Sequence, residues 1–408
     1  MLTAKRLSQL KEILRQPAAS FREQHVVRCV AEQLTQAGVP YFADPFGNVV
    51  VGVDSEKAYR RLLQQRDAEP VRVFIAHMDH PGFHGVRWLG EHRLAVKWHG
   101  GSPLKHLAGA QLWLADEDQR LTGSGLTAKL SKPKLLKAGW AIDTAEVVLS
   151  QANCIPLKQR YPGKKATRLF GGFAFRSDCW TSGKRLYTRA ADDLVGVFAI
   201  VSTAIEQHRR GAASGAASGA ASGTARPFIG LLTRAEEVGF VGAVQHFELG
   251  WLQAARRPVV CISLEASRTL PGAIVGKGPV VRLGDRRSIF DSGASQVLSM
   301  LADKVLPGRH QRRLMDGGAC EATAATAWGL PTIGITLPLG NYHNQGFEGG
   351  MDCPRPKGPA PEFVHLDDIE GELRLCRALM QPGLKWSDPW STTRLRLLKN
   401  VSHYKSLF

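Results

Sequence analysis

Five times in this chain a side chain able to ligate a metal sits at the edge of an apolar segment, and that recurrence restricts the fold more than any other feature of the sequence. Residues 71–76 read as a strand and lead into His77-Met78-Asp79, followed by Pro81-Gly82. Ala191-Asp192-Asp193 precedes the apolar run 194–200, long enough to open a buried helix. The run 228–232 is followed by Glu236-Glu237-Val238-Gly239, the run 259–264 by Glu265, and Pro331-Thr332-Ile333-Gly334-Ile335 by Asn341-Tyr342-His343. In an open α/β sheet such residues collect at the carboxyl ends of the strands, the side on which sites form.

Taken singly, each has an ordinary reading. A His-x-Asp is a hydrogen-bonded pair, Asp192-Asp193 caps a helix, Glu236-Glu237 starts a solvated one, and Glu265 and His343 are loop residues. Taken together they are not independent. Adjacent acids at the mouth of a buried strand repel each other, and a fold that keeps both there neutralises them with a cation. The order His, Asp, Glu-Glu, Glu, His supplies two imidazoles and three carboxylate ligands with one carboxylate left over, which is the demand of a two-metal hydrolase.

At this point the sequence resembles the co-catalytic dinuclear zinc aminopeptidases, most closely the glutamyl and tetrahedral aminopeptidase family. The resemblance rests on Leu10-Lys11-Glu12-Ile13-Leu14, Pro17-Ala18-Ala19-Ser20-Phe21-Arg22-Glu23 and Phe46-Gly47-Asn48-Val49-Val50 at the start of the chain. It continues through His77-Met78-Asp79 with Gly82-Phe83, Asp192-Asp193 with Gly196, Glu236-Glu237-Val238-Gly239, Gly278-Pro279 and Tyr342-His343. It implies an α/β fold: a three-layer α/β/α catalytic domain with a mainly parallel central sheet, interrupted by a small inserted β-barrel domain. It also implies that Asp192 bridges two divalent ions, zinc with cobalt or manganese as alternatives. His77 and Glu265 would complete one ion's ligands, Glu237 and His343 the other's. Glu236 would be the general base and Asp79 would orient His77. The implied activity is removal of N-terminal residues from short peptides by a homo-oligomer.

The chain departs from the family's pattern in places. His80-Pro81 follows the His-x-Asp where an acid is common, Leu194 stands in place of an arginine, and Glu265 in place of an aspartate. Gly317-Gly318-Ala319-Cys320-Glu321 replaces a Gly-Gly-Thr-Asp segment, and the short Ser-Pro-x-Glu expected after His343 is missing. Residues 344–361, rich in Gly and Pro, read instead as a long loop over the site. These changes leave two rivals: a metal-dependent deacylase or other amidohydrolase of small N-acyl compounds, and a catalytically lapsed basic binding module.

The text of the chain changes character between residues 86 and 185, where short segments of β character (85–89, 94–98, 111–115, 145–149 and 172–176) are broken by Gly, Pro and charged turns. They read as a small barrel or sandwich, and the resemblance implies the barrel. Residues 1–85 and 186–384 would then form one discontinuous catalytic domain around an inserted domain at 86–185, with a tail at 385–408. The repeat of Gly, Ala and Ser at 211–223 reads as a flexible surface insertion.

With 408 residues, 44% of them hydrophobic, the chain can bury a large core. No apolar run is long enough to span a membrane. Residues 1–14 read as an amphipathic helix with Leu7, Leu10, Ile13 and Leu14 on one face, unlike a signal peptide. Seven cysteines without Cys-x-x-Cys spacing point to a reducing, cytoplasmic setting. A net charge of +17 is the one property that a peptidase does not require. Thirteen Lys or Arg against three acids between Lys129 and Arg189 place much of it in the inserted segment. No nucleic-acid motif or aromatic interleaving accompanies the charge, so no nucleic-acid partner is expected. The basic surface reads as a solvated face that can steer acidic peptides.

Overall fold

The strand Val71–His77 is buried at every position and pairs in parallel on both sides, which explains its unbroken apolar text. It belongs to an eight-stranded sheet in a computed structural model that describes residues 2–122, 125–213 and 227–407. The sheet order is Tyr41–Ala43, Val49–Val51, Phe228–Thr233, Val71–His77, Val259–Arg268, Thr332–Leu339, Val280–Asp285 and Gln311–Met315. The four strands from Phe228–Thr233 to Thr332–Leu339 are mutually parallel; the Val49–Val51 and Val280–Asp285 strands beside them run antiparallel.

Alternation along these strands builds two cores. Phe74, Ala76, Ile262, Leu264, Ile333 and Ile335 face one side, where the helices Ala4–Leu14, Gln24–Gln36, Leu194–Ala213, Ser292–Val305 and Leu366–Leu379 lay down residues such as Leu10, Val30, Phe198, Leu298 and Leu373. Val73, Ile75, Ile229, Leu231 and Cys261 face the other, covered by Glu56–Gln64, Val241–Glu248 and Glu321–Ala327 through Leu63, Phe247 and Ala325. The result is a three-layer α/β/α arrangement, as the resemblance implies.

Between the strand Val71–His77 and the helix Leu194–Ala213 the chain leaves this frame to form a closed barrel. Its strand order is Gly82–Trp88, Arg93–His99, Ile142–Leu149, Ala128–Leu135, Gln111–Ala115, Phe170–Phe173. Phe83, Val96, Trp98, Leu114, Leu130 and Val147 fill it, and closure leaves no open sheet edge. Of the two β architectures open from the sequence, the barrel is present. The strand Ala128–Leu135 escaped the sequence reading because Lys129, Lys132, Pro133 and Lys134 mask a single buried face made by Ala128 and Leu130, and because its register slips after Ser131. The last barrel strand is Phe170–Phe173, earlier than expected, since Gly171 and Gly172 pack against Trp113 and Phe83 where a Cβ would collide.

A second small sheet, Cys179–Ser182, Arg185–Thr188 and Glu362–His365, joins the return from the barrel to the end of the chain's long loop. Of the low-complexity tract, residues 214–223 lie outside the described residues. Among the described residues no helix is long and apolar enough to cross a membrane. Cys29, Cys179, Cys261, Cys320, Cys353 and Cys376 are free thiols.

Candidate metal centre

The four parallel strands deliver their carboxyl ends to one place. His77 closes its strand, paired in register with Thr233, and three residues past Thr233 the chain makes the tight turn Glu236–Val238. Glu265 lies within the next strand, opposite Thr336 of the strand that leads to His343. Asp192 sits just ahead of the helix Leu194–Ala213.

The geometry centres on Asp192. One carboxylate oxygen lies 3.3 Å from His77 Nε2 and the other 3.6 Å from His343 Nε2. Glu236 Oε2 is 3.8 Å from His77 Nε2, and Glu237 Oε2 is 3.1 Å from His343 Nε2. Ligand atoms of His77, Asp192 and Glu237 lie within 4.8 Å of one another, as do those of His77, Asp193 and Glu265. Thus the structure collects all five candidate ligands, and it adds Asp193 beside Glu265. Asp193 Oδ1 accepts from the amides of Gly196 and Ala266, so it caps the helix and holds the Glu265 strand, while its Oδ2 is buried and makes no hydrogen bond.

These groups contact one another as ion pairs but are short of hydrogen bonds. His77 Nε2, His343 Nε2, Asp192 Oδ1, Asp193 Oδ2, Glu237 Oε1 and Glu265 Oε2 are all buried, and none makes a hydrogen bond. A buried polar atom without a partner costs about 1–3 kcal/mol, more if charged, and convergence of six at one point is the signature of a cation site. The electrostatics agree. Burial works against charge on His77 and His343, yet the surrounding carboxylates overcome it: Glu236 and Asp192 hold His77 well above the ordinary histidine range, and Glu237 and Asp192 lift His343 to about 10. The field that would protonate both imidazoles is a field that attracts divalent cations. The residues present therefore fit divalent metal: oxygen and imidazole donors, ligand atoms without hydrogen bonds and surplus negative charge.

Neighbouring residues fix this arrangement. Asp79 contributes more to the acid turn than to His77: Oδ1 accepts from the Glu236 amide at 2.9 Å, and Oδ2 from the Glu237 amide at 3.3 Å and Ser20 Oγ at 2.8 Å. His77 Nδ1 meets the Asp79 main-chain oxygen at 3.1 Å and Oδ1 only at 3.5 Å. The turn needs such support because Ala235 takes a left-handed conformation, φ 53°, which for a non-glycine costs about 1–3 kcal/mol. Glu23 adds an acceptor for the Ala235 amide at 3.1 Å and an ion pair to Arg234 at 2.8 Å. His80, the departure after the His-x-Asp, bonds the Asp192 main-chain oxygen at 2.7 Å and Asn344 Oδ1 at 3.3 Å, and burial together with His343 pushes it down to about 4.

Sequence reasoning missed two buried carboxylates. Glu321 accepts from Thr233 Oγ1 at 2.7 Å and leaves Oε2 unpaired. Its only signal was its place at the end of the altered Gly317–Glu321 segment. Glu362 stands at the far end of the long loop, where it opens the strand Glu362–His365. It accepts the Asp192 amide at 3.2 Å and the His343 amide at 2.8 Å.

Beside the centre lies a cavity of about 560 Å³, within the range of small-ligand pockets. Glu265 and His343 of the centre line it together with Trp140 from the barrel, Phe347 from the long loop, and Arg268, Arg282 and Arg286. Arg268 stacks on Phe347 with its guanidinium carbon 3.7 Å from the ring centre.

No family model and no curated protein sequence matches this chain. Solved structures do. The TET1 peptidase of Pyrococcus horikoshii, described as assembling into a tetrahedron or a large octahedral shell, is 19% identical, with 92% of this chain and 99% of that one superposed at a TM-score of 0.66. An aminopeptidase from the archaeon Desulfurococcus kamchatkensis is 18% identical over 94% of this chain and 97% of its own, TM-score 0.67. A Thermotoga maritima chain described as an endoglucanase is 15% identical over 93% and 99%, TM-score 0.59. At such identities likeness speaks for architecture, and one architecture here carries two described activities, so function has to come from the site. The chain has the fold of the TET aminopeptidases over nearly its whole length.

Proposed function

We propose that this protein is a dinuclear metal-dependent aminopeptidase that removes N-terminal residues from short peptides. The observation that supports the reading is the clustering of buried imidazoles and carboxylates around Asp192, six of whose ligand atoms make no hydrogen bond. Asp192 would be shared by both ions, with His77 and Glu265 on one side and Glu237 and His343 on the other. The chemistry that divalent metal would supply there is polarisation of an amide carbonyl and acidification of water.

The chain's own residues supply the rest. Glu236 is buried beside the ligands, and burial, with Glu265, Glu237 and Glu321 around it, pushes its carboxyl well above the usual range. Held by Asp79 through its backbone, it is placed to take a proton from the attacking water and return it to the leaving amine nitrogen. A cavity of about 560 Å³ accommodates a short peptide end and not a folded surface, which favours action at a chain end.

The three cavity arginines support an acidic first side chain, in keeping with the chain's basic surface. The test compares glutamyl, leucyl and lysyl p-nitroanilides with their N-acetylated forms. Cleavage confined to free amino termini is expected, and cleavage confined to the acylated forms would favour a deacylase. Arg286 is exposed at the cavity rim, and Arg286→Ala is expected to raise KM for the glutamyl substrate several-fold while leaving the leucyl substrate unchanged. Equal effects on both would remove the arginines from substrate choice.

A further inference from the structure

The bridging aspartate and His343 come from segments far apart in the chain, yet the same carboxylate receives the backbone of both. Glu362 Oε2 accepts from the Ala191 amide at 2.7 Å and the Asp192 amide at 3.2 Å; Oε1 accepts from the His343 amide at 2.8 Å. Glu362 is wholly buried.

Strand pairing explains how it reaches both. Glu362 opens the strand Glu362–His365, which pairs with Arg185–Thr188 so that Glu362 faces Thr188, four residues before Asp192. On its other flank Phe363 exchanges hydrogen bonds with Gly340, three residues before His343. The strand is thus inserted between the two ligand segments. The segments themselves need a clamp, because Asn341, His343 and Asn344 all have left-handed backbones, φ 53–58°. The loop 344–361 leaves and returns at this point, its ends tied by Asn341 Nδ2 to the main-chain oxygens of Gly349 at 2.8 Å and Pro361 at 3.0 Å.

We propose that Glu362 is a positioning residue that fixes the separation and orientation of Asp192 and His343, so that one metal ion finds both already in place. The proposal rests on reading those two residues as metal ligands. Glu362 touches neither substrate nor metal; it acts through three backbone amides. Partners that hold ligands in this way characteristically set about 10- to 100-fold of metal affinity.

The experiment is a Co2+ titration of the full chain, stripped with chelator and followed by visible d–d absorption. The wild type is expected to take up two ions. In Glu362→Gln, which keeps the shape but offers one good acceptor oxygen, one of the two should bind about 10- to 100-fold more weakly with an altered spectrum. Glu362→Asp keeps the charge but draws the oxygens back, so positioning predicts a loss of the same order, whereas a pure charge effect predicts wild-type binding. Where Glu362→Gln is insoluble, Glu362→Asp carries the test. Asp116→Asn serves as the control: it removes another buried carboxylate, one that accepts from the amides of Asp118 and Gln119 on the barrel, and should leave the titration unmoved. A Glu362→Asp protein that titrates like the wild type overturns the proposal. Absence of Co2+ uptake by the wild type overturns the metal reading beneath it, a separate and recognisable result.

Discussion

Glu236→Gln is expected to lower kcat/KM by about 10²- to 10⁴-fold, the usual range for loss of a general acid–base group, while the protein keeps its fold and its metal. The substitution preserves size and leaves the Glu236 amide free to donate to Asp79, so the turn that carries Glu237 stays in place. What disappears is the carboxylate that can accept a proton beside His77. Metal content measured in parallel separates this loss from a binding defect. A variant that retains metal and works within threefold of the wild type would remove Glu236 from the proton-transfer role.

Gly101→Ala is expected to be nearly as damaging, although Gly101 belongs to the barrel side of the molecule and carries no functional group. A Cβ placed there would lie 1.9 Å from His343 Nδ1 and 2.7 Å from its Cε1, both impossible contacts. The ring cannot retreat easily: it stacks on Tyr342 at 3.6 Å between centroids, and its backbone amide is held by Glu362. Nor can Gly101 move freely, since its main-chain oxygen accepts from Trp98 Nε1 at 3.1 Å inside the barrel. A displacement of about 1 Å in a reacting group costs on the order of 10²-fold in rate, and the same shift would loosen the ion that His343 holds. The check is kcat/KM together with metal content of Gly101→Ala; unchanged values for both would mean that His343 has more latitude than its packing shows.

Gly101 also illustrates what the sequence could not disclose. His77, Asp192, Glu236, Glu237, Glu265 and His343 were legible because each adjoins an apolar run whose buried strand or helix leaves little choice about where the neighbouring residues go. The barrel strands with alternating apolar residues were legible for the same reason. Ala128–Leu135 was not, since lysines and a proline on its exposed face outweigh the few residues that turn inward. Glu362 was hidden by chain distance: its partners lie 171 and 19 residues away, and only pairing of its strand with Arg185–Thr188 brings them together. Glu321 sat in a segment read for its difference from a pattern and not for the carboxylate that ends it. Asp193 read as a helix cap, and it is one, but the cap leaves its second oxygen without a hydrogen bond in a carboxylate that clusters with His77 and Glu265. In each case the missing information is tertiary: which buried oxygen remains without a hydrogen bond depends on neighbours that no local pattern specifies.

The central claim is that the orphaned atoms around Asp192 exist to hold two cations. Elemental mass spectrometry of the gently purified protein, alongside Asp192→Ala, tests it most directly. About two divalent ions per chain in the wild type, and nearly none in Asp192→Ala because both sites lose their shared ligand, is the predicted result. A wild-type protein that holds no divalent metal, even after incubation with zinc or cobalt, would contradict it.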